Sequence, residues 1–85
     1  MADPVIIACP EGVWTKVATN QTTGVIHVLT TSAEYRQTYR ASGGAVPTDE
    51  TEAVPFDGSL QISAAAGIDV YVLAKVGDGS VRVDL

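Results

Sequence analysis

Residues 67–85 read GIDVYVLAKVGDGSVRVDL, and this stretch decides the fold of the chain. Two runs rich in β-branched residues flank Asp78 and Gly79, a pair that favours a tight hairpin turn. If these two residues form the turn, Val76 faces Val81, and alternation along both strands places the apolar side chains on one face. We therefore predict a C-terminal β-hairpin within an all-β protein.

Upstream of residue 67, short runs with strand-like patterns alternate with turn signals. We read residues 20–24 as a hairpin loop and residues 64–67 as a bend of small residues that leads into the C-terminal hairpin. The remaining strands are predicted at residues 4–9, 13–19, 25–31, 34–40, 54–56 and 59–63. Six or seven short antiparallel strands at this spacing indicate a small β-sandwich or jelly-roll-like barrel.

Residues 34–40 admit two interpretations. A Tyr-Arg pair occurs at Tyr35-Arg36 and again at Tyr39-Arg40, and a helix would place both pairs on one face. Seven residues are too few for a marginal helix to persist without strong packing, so a strand is the better prediction.

Length and periodicity predict one domain. With 85 residues, the chain offers an N-terminal arm or edge strand at residues 1–12 and a β core at residues 13–85. Residues 41–53 lack periodicity, and a loop of this length in a small domain is commonly functional. This loop carries the carboxylates of Asp49, Glu50 and Glu52.

Composition limits the classes of partner. Ten acidic and five basic residues give a net charge of −5, which opposes binding to nucleic acid. Cys9 is the single cysteine, so neither an intramolecular disulfide nor a four-cysteine zinc site is possible. We expect no signal peptide, no membrane partner and synthesis in a reducing cytoplasm. The core is small and rich in Ala and Val, so we expect a homo-oligomer.

Candidate chemistry is sparse, and we predict neither an enzyme nor a cofactor. His27 lacks a neighbouring nucleophile and acid in sequence, so a packed or edge-strand histidine is preferred over a hydrolase. Cys9 fits a small buried hydrophobe rather than an activated thiolate. The carboxylates of the 41–53 loop lack calcium-loop spacing, so we expect them to be solvated or to pair with Arg36 and Arg40.

Three aromatic residues allow a second kind of site. Trp14, Tyr35 and Tyr39 could form a platform on which sugars stack, although core packing is the commoner use of such side chains. As candidate protein contacts we name seven charged and aromatic residues: Trp14, Arg36, Tyr39, Arg40, Asp49, Glu50 and Glu52.

Several phrases of the chain resemble small virion proteins of tailed bacteriophages. These phrases are WTKVATN at 14–20, TGVIHVL at 23–29, QTYR at 37–40, GGAVPTDE at 43–50, GIDVYV at 67–72 and DGSVRVDL at 78–85. The resemblance implies a jelly-roll-type capsid decoration, or cement, protein on the virion surface that binds the major capsid protein. Such proteins are often trimers at local threefold positions.

We expect residues 1–12 and the 41–53 loop to make the intersubunit and shell contacts. Two other virion roles stay open: a receptor- or carbohydrate-binding module of a tail fibre, and a head–tail or tail structural component.

Overall fold

A computed structural model describes residues 4–48, 51 and 53–85. Within these residues the protein has six β-strands and no helix: β1 (Val5–Cys9), β2 (Trp14–Val28), β3 (Glu34–Ala41), β4 (Val54–Phe56), β5 (Ser59–Lys75) and β6 (Gly79–Asp84). All strand pairs are antiparallel, in the order β1-β6-β2-β5-β3-β4. The prediction of a small all-β fold of antiparallel strands is therefore confirmed.

Two long strands divide the sheet into two layers. The first layer consists of β1, β6, the end of β2 (residues 25–28) and the start of β5 (residues 59–63). The second layer consists of the start of β2, the end of β5 (residues 68–75), β3 and β4. Because β2 and β5 belong to both layers, the sheet folds over on itself as a small sandwich.

The core lies between the two layers. Ile26 and Val81 of the first layer and Val72 and Ala74 of the second are fully buried in one hydrophobic cluster. Tyr35 also joins the layers. Its hydroxyl donates to the carbonyl of Thr30 at 2.7 Å, and the N–H of Ser80 donates to this hydroxyl at 3.2 Å. The buried hydroxyl is thus satisfied by the backbone of the opposite layer.

The predicted C-terminal hairpin is wrong. β5 and β6 do not pair with each other, because β2 lies between them in the sheet. The chain leaves β5 through Val76 (φ 61°) and Gly77 (φ 121°), a left-handed turn that carries it to the other layer. Val76 is 70% exposed and does not face Val81. The predicted inward direction of Val81 is nevertheless correct, because alternation along a strand does not depend on the identity of its neighbour.

Gly79 is required for a close approach rather than for a hairpin turn. A Cβ at this position would lie 2.5 Å from the hydroxyl of Tyr35 and 2.8 Å from its ring. The turn itself is held by Glu11, whose N–H donates to Asp78 Oδ1 at 2.9 Å and whose carboxylate accepts the N–H of Gly77. The sequence signal of this segment therefore has a physical cause different from the one predicted.

The predicted loop at residues 20–24 and the predicted bend at residues 64–67 lie inside continuous strands. β2 shifts register against β5 three times between Lys16 and Thr23, and Asn20 adopts a φ of 52°. Such irregularities increase local twist and bend, which lets β2 pass from one layer to the other. The turn-forming residues thus mark a bend within a strand rather than its end, because the strand continues on both sides of them.

The predictions for residues 1–12, for residues 34–40 and for the 41–53 loop have different outcomes. β1 is an edge strand, as expected for residues 1–12, and residues 34–40 form part of strand β3. The described residues of the 41–53 loop beyond Ala41 form no strand. Asp49, Glu50 and Glu52 lie outside the described residues, so their pairing with Arg36 and Arg40 stays a prediction. No helix of the described chain is long and apolar enough to span a membrane.

Candidate partner-binding surface

The outer face of the second layer collects residues that the sequence places far apart. The strand register puts Trp14 and Arg36 on either side of Leu73, and Lys16 and Thr38 on either side of Tyr71. Side chains of paired residues project from the same face of a sheet. We call this surface, extended to Arg40, Asp69 and Lys75 by the same register, the basic face.

Four of the five Lys and Arg residues lie on the basic face, namely Lys16, Arg36, Arg40 and Lys75. Two carboxylates of the described residues lie on the same face. Glu34 Oε2 is 3.8 Å from a guanidinium nitrogen of Arg36, and Asp69 Oδ2 is 3.6 Å from Lys16 Nζ. In a chain of net charge −5, this concentration of cations separates charge between one face and the rest of the molecule. Such a separation favours a partner of opposite charge.

Long side chains of the basic face cover its apolar centre. Tyr71 and Leu73 point outward but are only 1% and 3% exposed. The ammonium of Lys16 lies 5.9 Å from the centre of the Tyr71 ring, close enough for a cation–π contact. Trp14, half-buried beside Leu73, adds aromatic surface. The run of apolar residues at 70–74 is the sequence signal for a strand buried on both faces, and the prediction of a hairpin strand with one apolar face is wrong here.

Asp69 anchors the base of the 41–53 loop. Its carboxylate accepts the N–H of Asn20 at 2.9 Å and the N–H of Gly43 at 3.1 Å, and Lys16 lies beside it. These two backbone donors, with a smaller contribution from Lys16, hold the pKa of Asp69 below its usual range. Sequence reasoning missed this residue, and a lone Asp in an apolar strand was the available signal.

A groove opens at another part of the sandwich, between the end of β3 and the start of β5. Its volume is about 440 Å³, and apolar side chains form much of its lining: Leu60, Ile62, Ala64, Ile68 and Val70. Tyr39, which is 62% exposed, and the amides of Gln37 and Gln61 add polar groups. Among the residues that the structure describes, no Asp, Glu, Lys, Arg or His lines this groove.

The structure brings some of the sequence-named candidates together and separates others. Trp14, Arg36 and Arg40 share the basic face, whereas Tyr39 pairs with Val70 on the opposite face and borders the groove. Tyr35 is 3% exposed and belongs to the core. The sugar-stacking platform of three aromatic residues is therefore wrong.

His27 lies on the outer face of the first layer, where its Nε2 is 3.3 Å from Asp84 Oδ2. Arg82 Nε donates to the other oxygen of the same carboxylate at 3.1 Å. The His27 side chain is 44% exposed on a strand with neighbours on both sides, so it is neither packed nor at an edge. The cluster is a surface ion-pair network, and such pairs contribute little to stability.

Cys9 is fully buried, as expected, and burial raises the pKa of its thiol. A raised pKa disfavours the reactive thiolate at neutral pH. In the part of the chain that the structure describes, no three His, Cys, Asp or Glu side chains are grouped so as to hold a metal ion.

No family model, curated protein or solved structure matches the chain.

Proposed function

We propose that the chain is a structural virion protein that binds the outside of a phage capsid and reinforces the contacts between major capsid subunits. The proposal rests on the sequence phrases that resemble tailed-phage virion proteins. The structural observation that supports it is the basic face. Its position on a stiff β-sandwich suits a protein whose task is to bind rather than to react.

The basic face has the composition of a protein-binding surface. Arg and Trp are the residues most often found at the energetic centre of interfaces, and Arg36 and Trp14 flank the same buried Leu73. The cations complement an acidic patch on a capsid subunit and would steer the acidic protein onto it in one orientation.

The loop next to the basic face is fixed at its base. Asp69 binds Gly43 and, through Asn20, the bend of β2, so the loop begins from a defined position. A surface held in place before binding loses less conformational entropy on binding. Many copies on a closed lattice add individually weak contacts, and binding to the folded form stabilises a small domain.

The test is charge reversal on particles of the phage that encodes the chain. Arg36→Glu should lower the number of copies bound per particle, whereas Arg82→Glu, an identical charge change on the other layer, should leave occupancy unchanged. Circular dichroism establishes that both variants are folded. Copy number is counted by cryo-electron microscopy, and particle stability is measured by heat release of DNA.

Equal occupancy for wild type and both variants would remove the basic face from the interface. Absence of the wild-type protein from the capsid surface would overturn the function itself. Deletion of residues 43–52 tests the loop separately, and full occupancy and heat resistance after this deletion would exclude it.

A second candidate function is carbohydrate or receptor binding by a tail-fibre module. The exposed Tyr39 ring supports it, because it borders a groove that also carries the amides of Gln37 and Gln61. Aromatic faces and amide side chains are suitable for sugar recognition. A glycan-array signal that disappears in Tyr39→Ala would favour this function over capsid decoration. A location at the tail, with few copies per particle, would instead indicate a head–tail or tail component.

A further inference from the structure

The first layer ends at two strand edges without a hydrogen-bonded neighbour among the described residues. One edge is β1, which pairs only with β6. The other is the start of β5, because residues 59–63 pair with β2 and β3 joins β5 only from Ile68 onward. Unpaired strand edges expose backbone donors and acceptors that can bind another strand.

The β1 edge lacks the features that normally protect such an edge. Its residues, VIIAC, include no charged side chain and no proline, and Pro4 and Pro10 only delimit it. Val5 is 54% exposed and Ile6 is 70% exposed. Natural edge strands commonly carry Lys, Pro or a bulge to prevent association, so the absence of all three indicates that β1 is used.

The β5 edge offers a complementary surface. It borders the 440 Å³ groove, into which Leu60, Ile62 and Ala64 face from alternate positions of the strand. An added strand there would gain hydrogen bonds along residues 59–64 and would place its own alternate side chains over the groove. Val5 and Ile7 of β1 share the inward face of their strand and have the required spacing.

Charge permits two acidic copies to meet at these edges. Neither VIIAC nor residues 59–64, SLQISA, contains Asp, Glu, Lys, Arg or His, although each copy has a net charge of −5. The junction therefore brings no like charges into direct contact. A strongly charged foreign segment would instead lose hydration in the apolar groove without gaining a partner charge.

Strand direction also agrees. β1, β6, β2 and β5 alternate in direction across the first layer, since each pair is antiparallel. A second copy in the same orientation presents its β1 antiparallel to the β5 of the first copy. Repetition of this contact is head-to-tail, and head-to-tail contacts close into rings when the rotation between copies permits.

We propose that the protein assembles with itself by strand addition, β1 of one copy pairing with residues 59–64 of the next and covering its groove, to form a closed ring. This inference is independent of the function proposed above. It concerns the contact between copies, whereas the basic face lies on the outside of the second layer.

The test uses one variant for each edge. Val5→Asp places a carboxylate on the strand that enters the groove, and Ala64→Glu places one in the groove itself. Each should weaken association at least about tenfold and yield monomers, because an uncompensated charge would be buried in an apolar contact. Val76→Asp and Ala66→Glu are the matched controls, at exposed positions outside both edges, and should keep the wild-type mass.

Mixing the two edge variants gives the decisive measurement. Each retains one intact edge, so Val5→Asp and Ala64→Glu should combine one to one into a dimer, with the mass measured by light scattering. Circular dichroism checks their folding, and Val5→Lys, which places a charge at the same inward position, replaces Val5→Asp if that variant is unfolded. Monomeric wild-type protein over its soluble concentration range, unchanged mass in the edge variants, or no dimer in the mixture would each overturn the proposal.

Discussion

The two ends of β5 differ, although they belong to the same strand. Residues 68–75 pair with β3 on one side, residues 68–73 pair with β2 on the other, and the five side chains at 70–74 are all buried. Residues 59–63 pair only with β2, and there Ile62 is buried while Gln61 and Ser63 are exposed. Apolar residues occur at both ends, so the number of neighbouring strands and the cover over each face decide burial.

This comparison separates the part of β5 that side chains of its own chain cover from the part that borders an open groove. At the closed end, Trp14, Lys16 and Arg36 lie over side chains that would otherwise face water. At the open end, where apolar and polar residues alternate, the strand borders a groove. The same strand is thus covered on both faces at one end and open toward a groove at the other.

The largest effect should come from truncating the same residue type at each end. Leu73→Ala should destabilise the domain by about 2–5 kcal/mol, because Leu73 is 3% exposed and its loss leaves a cavity. Leu60→Ala, at the half-buried open end, should cost clearly less. Urea unfolding at a protein concentration that keeps the chain monomeric measures both, and equal costs would remove the distinction between the two ends.

The contact between the layers can be disturbed at Gly79. Gly79→Ala should destabilise by about 1–3 kcal/mol, because the new methyl group overlaps the Tyr35 ring and hydroxyl. Thermal unfolding measures the change. In the double variant with Tyr35→Leu, the added cost of Gly79→Ala should become smaller, since the overlapping groups are gone. Additive costs would show that the close approach is not the cause.

Asp69 gives the closed end a dependence on pH. Since its pKa is lowered in the folded protein, the unfolded state binds more protons at low pH, and stability rises with pH in that range. This contribution should be complete above the unfolded value of about 3.9 and should be lost as pH falls further through the folded pKa. Asp69→Asn should be less stable at neutral pH and should lose less stability on acidification.

Denaturant unfolding at a series of pH values checks this prediction. Asp84→Asn is the control, because Asp84 lies in an exposed network on the other layer. Parallel pH profiles for the wild type and Asp69→Asn would show that the backbone hydrogen bonds to this carboxylate do not contribute as described.

The smallest effect on stability is expected at Arg36. Its 3.8 Å pair with Glu34 is partly exposed, so Arg36→Gln should change the free energy of unfolding by about 0–1 kcal/mol. Urea unfolding of Arg36→Gln and Arg82→Gln side by side measures this. A loss of several kcal/mol would mean that Arg36 acts mainly as cover for Leu73, and its role in partner binding would lose support.

Strand positions could be predicted because alternation is a local property of the chain. The direction of Val81 and the strand at residues 34–40 followed from neighbouring residues alone. Strand partners could not be predicted in this way: the Asp78-Gly79 signal favoured a hairpin, yet β2 separates the two strands. Partner choice depends on contacts such as that between Tyr35 and Ser80, which are distant in sequence.

The candidate surface was predictable to the same extent. Trp14, Arg36 and Arg40 were recognised individually by residue type, and their common face required the register of three strands. Asp69 was missed because its partners Asn20 and Gly43 come from other segments. Tyr39 was grouped with Trp14 by chemistry, although the pleat places them on opposite faces.

The pairing of β1 with β6 has a consequence for biosynthesis. Val5 pairs with Val83, so β1 has no strand neighbour until residues 79–83 have been synthesised. Until then the nascent chain exposes VIIAC, which chaperones and other growing chains can bind. The order of translation thus leaves an apolar edge strand exposed until the last strand is made, and slow synthesis would lengthen that exposure.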